Sequence, residues 1–227
     1  MAAEGFHVTD DNNEAVRNSE LIVLAVLPHQ LNDLLGAIRE RVDARKHLLV
    51  SVVSGVSTKD ILSRLGKEAE IVRAMPNTAI AIGESMTCIA SGNASTKSLA
   101  RVTSMFDTVG KTIEINEELI TSATALCACG IAFFLRAIRA ASQGGIEIGF
   151  HADEALTLAA QTAKGAAALI LATHNHPERE IDKVTSPKGC TIAGLNEMEH
   201  QGFSSALIKG IKTSAAKANE LYSDSPR

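Results

Sequence analysis

Tryptophan is missing from this chain, and aromatic side chains make up only 3% of its 227 residues. An interior ordered by stacked rings is therefore excluded, and the 45% hydrophobic content must pack through Ala, Leu, Ile and Val. Cysteine is scarce as well. Cys88, Cys127, Cys129 and Cys190 make no paired CxxC sets, which argues against a zinc site and reads them as small buried residues. There is no excess of basic charge: the net charge is −4 and the isoelectric point about 6.0, so no nucleic-acid partner and no anionic membrane partner is expected. Long hydrophobic runs are absent too. The longest, about Leu21 to Val26 and Cys127 to Leu135, fall far short of the roughly 18 to 20 residues of a membrane helix, so no span is expected. Met1-Ala2-Ala3-Glu4 has neither a basic nor an apolar leader segment, which makes the cytoplasm the expected compartment. Finally, no Gly-x-Gly-x-x-Gly occurs anywhere in the chain.

What is present divides in two. Up to about Ile115, β-rich runs alternate with helical patterns. Leu21 to Val26 reads as a buried strand, Leu31, Leu34, Leu35 and Ile38 as one face of a helix, and His47 to Val53 as a second strand. Thr58 to Leu65 reads as a helix capped by Ser57, followed by strand Glu70 to Met75; Ser85 to Ala90, Ser95 to Phe106 and Lys111 to Ile115 continue the alternation. Such alternation is the pattern of a parallel α/β sheet. Phe6-His7-Val8-Thr9 is a first, short strand-like run. Beyond Asn116 only helical patterns occur: Glu117 to about Ile148, as one helix or two joined near Gly144-Gly145, then Asp153 to Thr173, then at least two more. The expected organisation is residues 1–116 as a partial Rossmann-like α/β domain and residues 117–227 as an all-α domain.

The most informative stretch lies in the second half, Ser186-Pro187-Lys188-Gly189-Cys190-Thr191-Ile192-Ala193-Gly194-Leu195. Pro187 fixes φ and Gly189 permits close backbone approach, so the amides of Gly189, Cys190 and Thr191 are expected to point outward at the head of a helix over Ile192 to His200. A helix start of this kind suits a carboxylate or a phosphate, and equally reads as an ordinary capped turn. With Met198-Glu199, Gly202-Phe203 and Glu220-Leu221 the stretch resembles the C-terminal signature of the pyrroline-5-carboxylate reductases, departing at Lys188, where that family has Gly. The resemblance implies that Ser186, Gly189, Cys190 and Thr191 bind the carboxylate of 1-pyrroline-5-carboxylate, with Thr191 orienting the imine nitrogen as the catalytic group.

The first half carries further matches. Ala25-Val26-Leu27-Pro28 resembles the family's Ala-Val-Lys/Arg-Pro turn, with Leu27 in place of the base. Arg73-Ala74-Met75-Pro76-Asn77 resembles its Arg-x-Met-Pro-Asn, and Asn12 its ribose-touching Asn. The implied cofactor contacts are Asn12, Ala25, Val26, Leu27, Pro28 and Asn77, with NADP as the cofactor and NAD as the other possibility. Ala125 to Phe133 occupies the place of a Leu-Ser-Gly-Ser-Gly-Pro-Ala-Tyr segment, with thiols at Cys127 and Cys129 instead of hydroxyls. The implied activity is NAD(P)H-dependent reduction of 1-pyrroline-5-carboxylate to L-proline by a homodimer or higher homo-oligomer. The resemblance aligns Phe6 to Thr9 with the family's third strand, so ~40 residues with the glycine-rich motif, slightly more than one βαβ unit of ~30, have no counterpart here. Weak NADPH binding by this chain is therefore expected, and a non-catalytic truncated paralogue acting as a dimerisation module is the alternative.

Overall fold

The computed structural model describes residues 5–222. Met1 to Glu4, read above for a leader, lie outside the described residues. The chain forms two compact units: described residues up to Cys129 together with those from Lys212 onward, and Gly130–Ile211.

The first unit is a five-stranded sheet in the order β1-β2-β3-β4-β5, with β1 Leu21–Leu24, β2 Leu48–Ser51, β3 Glu70–Met75, β4 Ser85–Ser91 and β5 Gly110–Glu114. Strands β1, β2 and β3 run parallel, with Leu24, Ser51 and Arg73 in register. The sheet departs from the wholly parallel arrangement that the alternation predicts. Strand β4 runs antiparallel to β3, and β5 parallel to β4. The cause is the β3–β4 connection: it holds only the 3-10 turn Thr78–Ile82 and left-handed Gly83. A parallel return needs a crossover of about a dozen residues or more, so the chain doubles back instead.

Alternation along the strands sorts side chains to two faces. Leu24, Leu49 and Ile71 pack with helices α1 (Asn12–Arg17), α2 (Leu31–Ile38) and α3 (Thr58–Leu65) through Val16, Leu31, Leu35, Ile38, Ile61 and Leu65. On the opposite face Leu48, Val50, Val72 and Ala74 pack with Leu99, Val102 and Phe106 of α4 (Thr96–Asp107). Each fully buried Leu or Ile contributes about 1.5–3 kcal/mol, so aliphatic burial supplies most of what holds both helical layers, with Phe106 the one buried aromatic among the described core residues. Caps define the helix starts. Ser57 caps α3 as expected, and Asp60 completes a reciprocal capping box with it. Glu70 on β3 accepts from the Ser95 amide at 2.7 Å and from the Ser98 hydroxyl, tying α4 to the sheet.

The run Phe6 to Thr9 is not a strand. No strand pairs with it among the described residues, and Phe6 and Val8 are 64% and 58% exposed, because β-rich composition without a neighbouring strand satisfies no backbone groups. Chain residues 218–222 pack over the end of β2: the Tyr222 hydroxyl donates to Asn32 Oδ1 at 2.8 Å, and a Cβ on Gly55 would come within 2.8 Å of the Ala218 carbonyl oxygen. With φ +77 as well, position 55 has two reasons to be glycine.

From Glu117 to Glu147 the backbone stays helical, as a 3-10 turn Glu117–Leu119, α5 (Ile120–Ala123), a π-helical segment Thr124–Cys129 and α6 (Gly130–Glu147). Ile120 and Ala123 cover Met75, Cys88 and Ala90 of the sheet. Gly144-Gly145 does not break α6. Gly145 instead lets α7 (Ala152–Thr173) come close, since a Cβ there would meet Ala155 Cβ at 3.0 Å. The second unit continues with α8 (Pro177–Lys183), α9 (Cys190–His200) and the first part of α10 (Phe203–Ala218). His174 and His176 serve as helix caps: His174 ends α7 in a left-handed conformation, and His176 Nδ1 accepts from the Glu178 amide. Two helical stretches, Glu117–Glu147 and Ala152–Thr173, are long and apolar enough to cross a membrane. The run-length reading missed this because isolated polar and small residues break the runs without lowering the average hydropathy much.

Candidate functional site

Parallel strands β1, β2 and β3 end side by side, so the predicted cofactor residues share one sheet edge. Ala25 to Pro28 leave β1 directly, and Asn77 leaves β3 two residues after Met75. The two turns are two strand spacings apart, roughly 10 Å. Open α/β sheets bind ligands at this carboxyl edge. Leu27 is 58% exposed and Asn12, on the first turn of α1, is also exposed.

Several polar groups at this edge are already committed. Asn77 Oδ1 accepts from the Ala79 amide at 3.0 Å, its Nδ2 donates to the Cys127 carbonyl at 3.4 Å, and its own amide donates to Ser85 Oγ at 3.1 Å. The Leu27 amide donates to Gln30 Oε1 at 3.1 Å, and Pro28 has no N–H. At Leu27 and Pro28 the turn after β1 therefore offers a phosphate an apolar side chain and no free amide.

In the second unit the turn Ser186 to Thr191 forms the head of helix α9, with two differences from expectation. Helix α9 begins at Cys190, earlier than Ile192, and the Gly189 amide is not free, because it donates to the Ser186 carbonyl at 2.9 Å. Gly189 is the N-cap and offers no side chain, so the first-turn amides of Cys190, Thr191 and Ile192 are the ones the cap leaves open. The absent Cβ of Gly189 makes room for Ser186, whose Oγ would lie 2.4 Å from it. Lys188 adopts φ +57. Pro at the second position and a left-handed third position fit a type II turn, a position that suits Gly better than the Lys present here. Ser186 and Cys190 are exposed and Thr191 is half-buried at the head of the helix.

Two features were not found by sequence reasoning. Arg73 is buried, with Nη1 3.6 Å from Glu117 Oε1, the same oxygen that accepts from the Thr58 amide at 2.7 Å. Burial pulls the Arg73 pKa down while Glu117 holds it up. This cluster borders a cavity of about 620 Å³ that contains none of the predicted site residues. The second is a thiol pair, Cys88 Sγ and Cys127 Sγ, 3.7 Å apart. Only the Arg73 and Glu117 charges were readable in the sequence; nothing there pairs residues 73 with 117 or 88 with 127. Among the described residues, no group of three or more His, Cys, Asp or Glu side chains is placed to hold a metal ion.

An α/β unit with an open carboxyl edge and a unit of long helices define the class of two-part nicotinamide-dinucleotide oxidoreductases, and residues 2–55 match a family described as NADP oxidoreductase, coenzyme F420-dependent. Residues 117–221 match the family described as pyrroline-5-carboxylate reductase dimerisation. Pyrroline-5-carboxylate reductase 1 of Dictyostelium discoideum is 55% identical over 98% of this chain and 42% of its own length. Pyrroline-5-carboxylate reductase 2 of the same organism is 49% identical over 96% of this chain and 77% of its own length. The crystal structure of Plasmodium falciparum pyrroline carboxylate reductase with NADP bound superposes with a TM-score of 0.88 at 26% identity, covering 95% of this chain and 82% of that one. The chain belongs to the pyrroline-5-carboxylate reductase family, whose members are NAD(P)H oxidoreductases. It spans less than half the length of the first of these relatives and about three quarters of the second.

Proposed function

We propose that this chain acts in the NAD(P)H-dependent reduction of 1-pyrroline-5-carboxylate to L-proline, the last step of proline biosynthesis, with α9 holding the substrate. The observation that carries this reading is the turn at Ser186 to Thr191, whose first-turn amides have no cap side chain, in a chain whose relatives are named for this reaction. The amides of Cys190, Thr191 and Ile192 hold the substrate carboxylate; two or three charge-assisted bonds contribute about 1.5–3 kcal/mol each, and the helix dipole about 0.3–1 kcal/mol. Thr191 Oγ1 orients the imine nitrogen, while Ser186 and Gly189 fix the turn. Protonation of that nitrogen makes the C=N carbon more electrophilic, so no general-base triad is needed.

Reduced nicotinamide dinucleotide, NADPH ahead of NADH, supplies the hydride when bound. At the carboxyl edge of β1 to β3, Ala25, Val26, Leu27 and Pro28 would lie against it, with Asn77 toward the nicotinamide and Asn12 toward the adenosine ribose. The fit is uneven. Apolar Leu27 and the committed Leu27 amide give a pyrophosphate no donors here, which supports weak dinucleotide affinity for these residues alone. The exposed apolar side chains of the long helices, among them Phe134, Leu135, Leu158, Leu169 and Leu171, support a homodimer or higher homo-oligomer in place of a membrane. Four free cysteines support a reducing cytoplasm.

Substitution Thr191→Ala tests the assignment. In a preparation that oxidises NADPH with 1-pyrroline-5-carboxylate, kcat/KM should fall by the equivalent of about 1–3 kcal/mol. An unchanged kcat/KM removes Thr191 from the site.

A further inference from the structure

We propose that Cys88 and Cys127 are an oxidisable pair that closes to a disulfide, stapling strand β4 to the helical segment Thr124–Cys129. The two sulfurs are already in contact at 3.7 Å although the residues are 39 apart in sequence, and a side-chain rotation that closes the gap to about 2.05 Å forms the bond. Their exposures differ in the way such a pair requires. Cys127 is half-buried and the more open of the two to a small reagent, whereas Cys88 is 5% exposed. Hydrogen bonding from the Cys88 thiol holds Cys127 down to about 7, within reach of cytoplasmic pH, and the same contact with burial pushes Cys88 up. Cys127 is therefore the attacking thiolate and Cys88 the resolving thiol.

With hydrogen peroxide as oxidant, Cys127 sulfur attacks one peroxide oxygen and the O–O bond breaks. The departing hydroxide takes up a proton and leaves as water, and Cys127 becomes a sulfenic acid. Cys88 sulfur then attacks Cys127 Sγ and the S–O bond breaks. The Cys88 proton and the released hydroxide form the second water. Two thiols lose two electrons and two protons, and one peroxide yields two waters. Cys190 is exposed, and among the described residues the sulfur–sulfur contact is that of Cys88 with Cys127, so oxidation of Cys190 has no such exit. The staple would also fix the Cys127 carbonyl, the acceptor of Asn77 Nδ2.

The test is peptide mapping under non-reducing conditions after treating the full 227-residue chain with hydrogen peroxide. The expected products are a Cys88–Cys127 cross-linked peptide, a mass loss of two hydrogens, and two of the four thiols still titratable after denaturation. Cys127→Ser should abolish the cross-link. Cys88→Ala should leave Cys127 as a sulfenic acid that dimedone traps; if that variant does not fold, the wild-type map and Cys127→Ser decide alone. A wild-type map in which Cys88 stays free while Cys127 is over-oxidised, or in which Cys129 or Cys190 supplies the cross-link, overturns the proposal.

Discussion

Removing the Glu117 carboxylate should destabilise the α/β unit by about 3 kcal/mol, a large effect for a residue on a 3-10 turn. Arg73 is 4% exposed at its side chain and has one charged neighbour in contact, Glu117 Oε1 at 3.6 Å; its Nε and Nη2 are buried without a hydrogen-bond partner. At an effective dielectric of 20, that separation gives a gross attraction of about 5 kcal/mol. Breaking a buried pair from one side costs about 3–5 kcal/mol, because the remaining charge is left desolvated. The same oxygen accepts from the Thr58 amide at 2.7 Å, a bond to a charged acceptor worth about 1.5–3 kcal/mol. The two losses share one atom and do not add, and the adjoining cavity can admit water to Arg73, which brings the total toward the lower figure. Glu117→Gln keeps an acceptor for Thr58 and should cost about 2 kcal/mol. Urea unfolding followed by circular dichroism should show the Glu117→Ala midpoint lowered by roughly 1.5 M if m is about 2 kcal/mol/M. The cycle with Arg73→Met separates the causes: if the stranded charge dominates, the double variant is more stable than Glu117→Ala alone. A Glu117→Ala variant within 0.5 kcal/mol of the parent, or a double variant less stable than the single, refutes the reasoning.

Lys188→Gly should stabilise the helical unit by about 0.5–1 kcal/mol, because relief of the left-handed conformation, about 1–2 kcal/mol, exceeds the added flexibility of the unfolded chain; a lower unfolding midpoint would contradict this. His47 accepts from the Asp43 amide through Nδ1, and its Nε2 is buried without a partner; burial first, then the Lys46 charge, lower its pKa below 6.5. The unfolded chain then binds the proton more readily, so stability is full above pH 6.5 and declines as pH falls toward the folded pKa, by at most about 1.4 kcal/mol per pH unit. Unfolding free energies at pH 7.5 and 5.5 should diverge less in His47→Gln than in the parent, and equal slopes would remove His47 as the cause.

Local signals in the chain were reliable where one short-range rule decides the outcome. Ser57 starts α3 as its cap, and β3 begins and ends where the Glu70 to Met75 run does, because capping and strand composition act within a few residues. The direction of β4 was misread because it depends on the short link through Thr78 to Gly83, which a parallel pattern of strands and helices does not encode. The head of α9 was placed two residues late for a related reason: Gly189 was read as a free donor, while its amide closes the turn onto Ser186 and so lets the helix start at Cys190. Arg73 was legible as part of a motif, but its burial against Glu117 joins residues 44 positions apart, and only the folded sheet shows it. The thiol pair was hidden for the same reason.

The central claim is that the first turn of α9 receives the substrate carboxylate. Backbone amide NMR of the chain titrated with L-proline, the product of the proposed reaction, tests it most directly. Saturable shifts concentrated at Cys190, Thr191 and Ile192, and weakened in Thr191→Ala, are the expected result. Saturable shifts elsewhere with those three amides unmoved would contradict the account.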